Sequence, residues 1–373
     1  MMPRLKIPFL IAAIALLPLT PSAQGGDVVL AIEGRTNQTP WVASEGSFIA
    51  VAWGARTPGG ATDVYVAVSR DAGVTFAKPV AVAGTAGEAR LGGEMPPRVA
   101  LARQPRGADP LIVVLWTARA DGRTSIRSAR STDGGRTFTP STTLSSPSAA
   151  GDRGWPALTV DAAGTPHAIW LDHRGLAEAA GAGEHSGHGQ SASTPVQRDG
   201  VATAQKSALY YAQAGGPGER ELTKGVCYCC KTALAAGTGG SLFAAWRHVY
   251  AGNIRDIAFM QSRDGGKTFS AAARISEDGW QLDGCPDDGP AMAVDRNNVV
   301  HIVWPTVIGG DNPEGALFYA STKDGRRFTP RRRIPTLGGP SRRIHRSRST
   351  ARARSTSPGM KSATAFAAPR SDR

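Results

Sequence analysis

The sequence predicts an all-β propeller of four-stranded antiparallel blades, six blades being expected and about five recognisable. Three observations predict it. A tryptophan closes a short β-prone run five times along the chain, an octapeptide follows three of those runs, and the copies recur at roughly sixty residues.

The tryptophan runs are Val51-Ala52-Trp53, Val114-Leu115-Trp116, Ala168-Ile169-Trp170, Ala244-Ala245-Trp246 and Ile302-Val303-Trp304. In the third and fifth copies an apolar run precedes them, Ala157 to Asp161 and Ala291 to Asp295, which gives two short strands joined by a Gly- or Asn-containing turn. A polar loop and a third strand follow, and then the octapeptide: Ser69 to Phe76, Ser131 to Phe138 and Ser262 to Phe269. In each, an Asp (Asp71, Asp133, Asp264) can accept backbone N–H groups just ahead of it, and a Gly (Gly73, Gly135, Gly266) supplies the positive φ that reverses the chain. The terminal Phe anchors the turn. A fourth copy, Ser321 to Phe328, is degenerate, with Lys323 in the Asp place and Asp324 one position late, and the third repeat has none.

These units set blade one at about 40–85, blade two at 94–145, blade three at 153–224, blade four at 230–278 and blade five at 288–336. Each blade buries its faces only against its neighbours, so repetition is what makes the fold stable. A β-sandwich or β-solenoid accounts less well for near-identical octapeptides at equivalent positions.

The ends of the chain read differently. Arg4 and Lys6 precede an apolar run from Ile7 to Leu19, then Thr20 to Ala23, the layout of a secretory signal over residues 1–23. That run is too short to span a bilayer and no later one is longer, so no transmembrane segment is expected. The protein is expected to be secreted or periplasmic, and a monomer. Residues 24–339 form the propeller. From Ser341 the composition turns to Arg, Ser, Ala and Pro, with Ile344, Met360 and Phe366 as the large apolar residues, which reads as a basic disordered or frame-shifted tail at 340–373. A sixth blade is expected to start near Pro340, with Asp27 to Glu33 as its closing strand. The formal charge of +13 is concentrated in that tail, where nine Arg or Lys face the single acid Asp372, so the body is not a nucleic-acid binder on charge grounds.

The pattern Ser-x-Asp-x-Gly-x-Thr-Phe resembles the Asp box, or bacterial neuraminidase repeat, of the sialidase superfamily, over residues 27 to about 339. The resemblance implies a six-bladed propeller whose boxes lie between third and fourth strands, opposite the active face, where they hold the scaffold and do no chemistry. It further implies an exo-sialidase-type glycoside hydrolase or a glycan-binding relative: arginines gripping a carboxylate, an acid, and a Tyr–Glu nucleophile. Arg153, Arg174, Arg247 and Arg255 are the candidate cations, and Asp172 and Asp256 the candidate acids. The family's Arg-Ile-Pro near the first blade is replaced by Gln38-Thr39-Pro40-Trp41, and its nucleophilic Tyr belongs to the last part of the propeller, which is missing here. The ligand expected is a glycan or another small extracellular molecule.

A second reading starts from the cysteines. Cys227, Cys229 and Cys230 precede the inner strand of blade four and Cys285 that of blade five, so their leading ends are neighbours. In an exported chain they form disulfides or, with His173, His185, His188 and His248, a site for copper or zinc in a non-enzymatic propeller. Of three pairings, each puts one bridge inside the Cys227 to Cys230 tetrapeptide.

Overall fold

The computed structural model describes residues 27–82, 87–104, 108–146, 150–179, 200–214, 216, 218–282, 284, 286–310 and 312–335. Within them the chain forms five four-stranded antiparallel sheets, each in simple sequential order. Blade one is β1 (Thr36–Glu45), β2 (Phe48–Arg56), β3 (Thr62–Ser69) and β4 (Val80–Ala81). Blade two is β5 (Arg98–Ala102), β6 (Leu111–Ala120), β7 (Arg123–Ser131) and β8 (Thr142–Thr143). Blade three is β9 (Arg153–Val160), β10 (Pro166–Asp172), β11 (Ala208–Gln213) and β12 (Arg220–Lys224), with helices α1 (Arg174–Ala179) and α2 (Gly200–Ala204) between β10 and β11. Blade four is β13 (Ala233–Ala236), β14 (Leu242–Tyr250), β15 (Ile254–Ser262) and β16 (Ala273–Arg274). Blade five is β17 (Ala291–Val294), β18 (Val300–Ile308), β19 (Glu314–Thr322) and β20 (Arg332–Arg333).

The first strands line the axis. β1 packs on β5, β5 on β9, β9 on β13 and β13 on β17, while among the described residues β17 and β1 make no comparable contact. This is a β-propeller, and among the described residues no blade stands between blades five and one. The expected tail and the start of a sixth blade lie outside the described residues.

The alternation of each second strand explains how blades stack. In β10, Ala168 and Trp170 pack toward blade two while Ile169 and Leu171 pack toward blade four. In β14, Leu242, Ala244 and Trp246 face blade three, and Phe243 and Ala245 face blade five. The repeated tryptophan therefore always reaches back: Trp116 joins blade one, Trp170 blade two, Trp246 blade three and Trp304 blade four. Among the described residues Trp53 has no preceding blade. It packs instead beneath Leu30 and Ile32. The segment expected as a closing strand, Asp27 to Glu33, is not a strand: it folds over the side of blade one, and Ile32 N–H is held by Asn37 Oδ1 at 2.9 Å. An apolar cover for Trp53 is nearer to hand than a strand partner, and it removes the same surface from water.

The octapeptides form equivalent β3–β4-type turns. Ser262 Oγ donates to Asp264 Oδ1 (2.7 Å) and accepts Gly266 N–H (2.9 Å), while Asp264 accepts Thr268 N–H (2.9 Å) and its hydroxyl (2.6 Å). The same set recurs at Ser69, Asp71 and Thr75 and at Ser131, Asp133 and Thr137. The degenerate copy is the same turn with one residue deleted. Thr322 replaces the serine, Asp324 Oδ1 accepts the N–H groups of Arg326 and Arg327 at 2.8 Å, and Gly325 N–H reaches Thr322 Oγ1 at 2.9 Å.

Arginines stitch these turns from blade to blade. Arg70 donates to Gly134 O (2.9 Å) in blade two, and Arg263 to Asp324 O (2.8 Å) in blade five. Blade three, without an octapeptide, uses Arg220, which donates to Gly266 O and Lys267 O and lies over the Tyr211 ring.

Candidate functional site at the axial mouth

In an up-and-down blade the second-to-third and blade-to-blade connections share one end, opposite the octapeptide turns. Every residue singled out for chemistry in the sequence and described here lies at or near that end. Most are spent within the protein. Arg153 opens β9 and Asp172 closes β10, both buried; Arg153 Nη1 donates to Gly151 O (2.7 Å) and its Nε lies 3.4 Å from Asp172. Arg174 holds the same carboxylate with two nitrogens (2.8 and 2.7 Å), also binds Glu219 (2.6 Å), and lies 4.2 Å over the Tyr210 ring. Burial pushes the Asp172 carboxyl up, but the bond from Arg174 and the charge of Arg153 outweigh it and hold it low.

Arg247 gives its three nitrogens to the carbonyls of Asp288 (2.8 Å), Arg255 (2.6 Å) and Pro305 (2.6 Å). Arg255 gives its own to Leu282 O (3.3 Å), Asn253 Oδ1 (3.0 Å) and Cys227 Sγ (3.3 Å). Asp256 is paired with Arg274, and burial leaves its carboxyl raised. These six residues brace loops.

The mouth itself is lined by residues that the sequence reading passed over. Glu94, in the link from blade one to blade two, reaches across the axis: it accepts Lys231 N–H (2.9 Å), the Lys231 ammonium (2.8 Å) and Gly289 N–H (3.0 Å). Next to Gly289 is Asp288, whose carboxyl is pushed up to about 6, first by burial and then by the charge of Glu94. Arg98, the first residue of β5, is 3 % exposed. Its Nε donates to Pro156 O (2.8 Å) and its guanidinium sits 3.8 Å from the centre of the Trp41 ring. Its Nη2 has no hydrogen-bond partner among the described residues. Burial draws its pKa down to about 10 against the pull of Glu94.

Two bulges assemble this arrangement. Register shifts interrupt β1 between Gln38 and Trp41 and the β9–β10 ladder at Ile169/Leu171, opposite Trp155 and Pro156. Thr39 and Trp155 there have φ of +52° and +54°, as does Asp287 beside the acid at +50°. Side chains rarely adopt such values, and bulges that re-aim a side chain occur beside binding sites. The first bulge turns Trp41 onto Arg98, and the second frees the Pro156 carbonyl to meet it. A signal for Arg98 was present: Arg98 and Arg153 both open an inner strand, in successive blades. Two open clefts, of about 370 and 580 Å3, lie at the octapeptide end instead, around Arg70 and Asp109 and around Val28 and Phe76.

Beside the mouth lie the cysteines. The sulfurs of Cys227, Cys229 and Cys230 are buried within 4.8 Å of one another, and no described histidine joins that group. His173 rests against Trp155 (5.4 Å between ring centres), and His248 takes the Trp246 indole N–H at 3.3 Å, with burial drawing its pKa down to about 4. His185, His188 and Cys285 lie outside the described residues. Cys229 is disulfide-bonded, whereas Cys227 and Cys230 are free thiols, so the tetrapeptide contains no internal bridge. A copper or zinc ion is poorly matched to this set: one sulfur is oxidised, and the cation-stabilising place beside Cys227 is taken by the Arg255 guanidinium.

The fold thus defines a β-propeller, with charged side chains gathered around its axis at the end opposite the octapeptide turns. No protein-family model matches the chain, and no curated protein matches it in sequence. Several solved structures are similar to it at low sequence identity. A Hadza microbial sialidase shares 13 % identity over 78 % of this chain and 57 % of its own, with a TM-score of 0.46. A Penicillium chrysogenum α-L-arabinanase complexed with arabinobiose shares 13 % over 80 % and 81 %, TM-score 0.45. An Aleuria aurantia lectin mutant in complex with α-methyl-L-fucoside shares 11 % over 81 % and 79 %, TM-score 0.46. The chain spans little more than half the length of the sialidase.

Proposed function

We propose that this chain is an exported Asp-box propeller, secreted or periplasmic, that binds a glycan at its axial mouth. One observation carries the reading: Arg98 is a buried cation with an N–H left over. A buried charged donor without an acceptor is costly, and a ligand oxygen or carboxylate at the mouth removes that cost. Trp41 and Trp155, both half-buried, stand beside Arg98 as apolar neighbours for a sugar, and Glu94 and Asp288 offer an acceptor and, below about pH 6, a donor for its hydroxyls. The same carboxyl pair, with one member held acidic, is the equipment of acid-assisted glycoside cleavage, so hydrolysis of the bound glycan belongs to the same reading.

The test is retention of the labelled full chain on an array of glycans, alongside Arg98→Met. Wild type is expected to bind at least one glycan class, and Arg98→Met to lose about tenfold or more in affinity for it, as for a lost charge-assisted hydrogen bond. Retention of no glycan, or equal retention of both proteins, contradicts the proposal.

A further inference from the structure

The geometry at the start of blade four points to a reversible dithiol–disulfide couple: we propose that Cys227 and Cys230 react with hydroperoxides, Cys227 attacking and Cys230 resolving. The Cys230 thiol donates to Cys227 Sγ at 3.4 Å, and Cys229 Sγ lies 3.8 Å from the same sulfur. Arg255, fully buried, places Nη1 at 3.3 Å from Cys227 Sγ, with its guanidinium 5.8 Å from the centre of the Tyr228 ring.

A buried cysteine is ordinarily a small, inert apolar group. The arginine argues otherwise here. A neutral thiol is a weak acceptor, and a buried guanidinium aimed at one is poorly compensated, whereas a thiolate receives both that cation and the Cys230 S–H. In accord with this, burial pushes the Cys227 thiol up, but the Cys230 hydrogen bond and then Arg255 and Arg247 bring it down to about 7. Cys230, beside that negative charge and equally buried, is held well above the ordinary thiol range, so it remains the protonated partner.

The chemistry balances. The Cys227 thiolate attacks one peroxide oxygen, the O–O bond breaks, and a sulfenic acid forms as hydroxide leaves and takes a proton to become water. Cys230 then gives up its proton, its sulfur attacks Cys227 Sγ, the S–O bond breaks and a second water departs, leaving a disulfide. The sulfurs must close from 3.4 Å to about 2.05 Å, a small displacement for one loop. Hydrogen peroxide is little larger than water, which suits a buried pair. This inference does not depend on what the mouth binds.

The test uses the full purified chain with hydrogen peroxide as the probe, a thiol count under denaturing conditions, and the mass, without reduction, of the tryptic species that contains the peptide Gly225–Lys231 together with whatever the Cys229 disulfide joins to it. One equivalent of peroxide is expected to remove both free thiols and two hydrogens from that species. Cys230→Ser is expected to stop at a Cys227 sulfenic acid that dimedone traps. Arg255→Met is expected to slow the reaction about tenfold or more at neutral pH, and Arg255→Lys to restore part of the rate while preserving the buried charge. The proposal is overturned if the folded chain leaves both thiols intact in excess peroxide while the denatured chain reacts. It is equally overturned if wild-type oxidation ends on Cys227 alone, or if both Arg255 variants react at the wild-type rate.

Discussion

At Asp264 one carboxylate ties down a whole hairpin, and its chemistry sets how the molecule meets acid. Hydrogen bonds hold four such groups well below the usual carboxylate range: from Ser69 first at Asp71, from Thr137 at Asp133, from Thr268 at Asp264 and from the Arg327 N–H at Asp324. Their folded values lie below the unfolded one, so their stabilisation is complete above about pH 4 and is lost as pH falls toward about 2. Thermal unfolding followed down that window is expected to show a falling Tm, with a smaller fall in Asp264→Asn. Asp288 has the opposite sign. Its carboxyl is raised to about 6, so its contribution fades as pH rises from about 4 to about 6. Glycan affinity is expected to drop as pH rises through about 6, and to become flat across that range in Asp288→Asn; binding that strengthens with pH in the wild type removes Asp288 as a donor.

Between elements, one tight fit is where blade three meets the turn of blade four. A Cβ built on Gly266, at φ +83°, falls 2.0 Å from the Tyr211 hydroxyl. Gly266→Ala is expected to cost about 2 kcal/mol or more in denaturant unfolding, and adding Tyr211→Phe to recover part of it, leaving the backbone strain. Additive effects of the two changes show that the clash is not what the glycine avoids. This element also shows what a sequence discloses. The octapeptide turns were legible because their hydrogen bonds close within eight residues, and even the degenerate copy keeps its chemistry with one residue deleted. For Arg98 only its place at the head of an inner strand was legible, because its partners are the ring of Trp41 in blade one and the Pro156 carbonyl in blade three, brought in by bulges that leave no mark on the apolar alternation. Asp172 and Arg174 attracted attention for the opposite reason: two residues apart, they looked like free chemistry and instead neutralise each other. The cysteine cluster was legible from spacing, but the guanidinium that meets Cys227 Sγ comes from Arg255 in β15, which the spacing does not disclose.

At the scale of the whole molecule, each tryptophan reaches back into the preceding blade, and Trp53 makes do with Leu30 and Ile32. At the other end of the arc Val303, Leu317 and Tyr319 lie on the forward face of blade five, only half-buried, whereas Ile302 behind them is fully buried. Leu317→Glu is accordingly expected to cost about 1 kcal/mol or less, as at an open surface, and Ile302→Glu to prevent folding. A Leu317→Glu chain that fails to fold means that this face is covered. The proposed function divides the work between the two ends of the propeller: octapeptide turns and their arginines hold the blades, and the opposite mouth is the proposed ligand site. Glycan affinity of folded Arg98→Met and Asp264→Asn, measured side by side with wild type, tests that division most directly. The expected result is affinity lost in Arg98→Met and kept in Asp264→Asn, and affinity kept in Arg98→Met but lost in Asp264→Asn contradicts it.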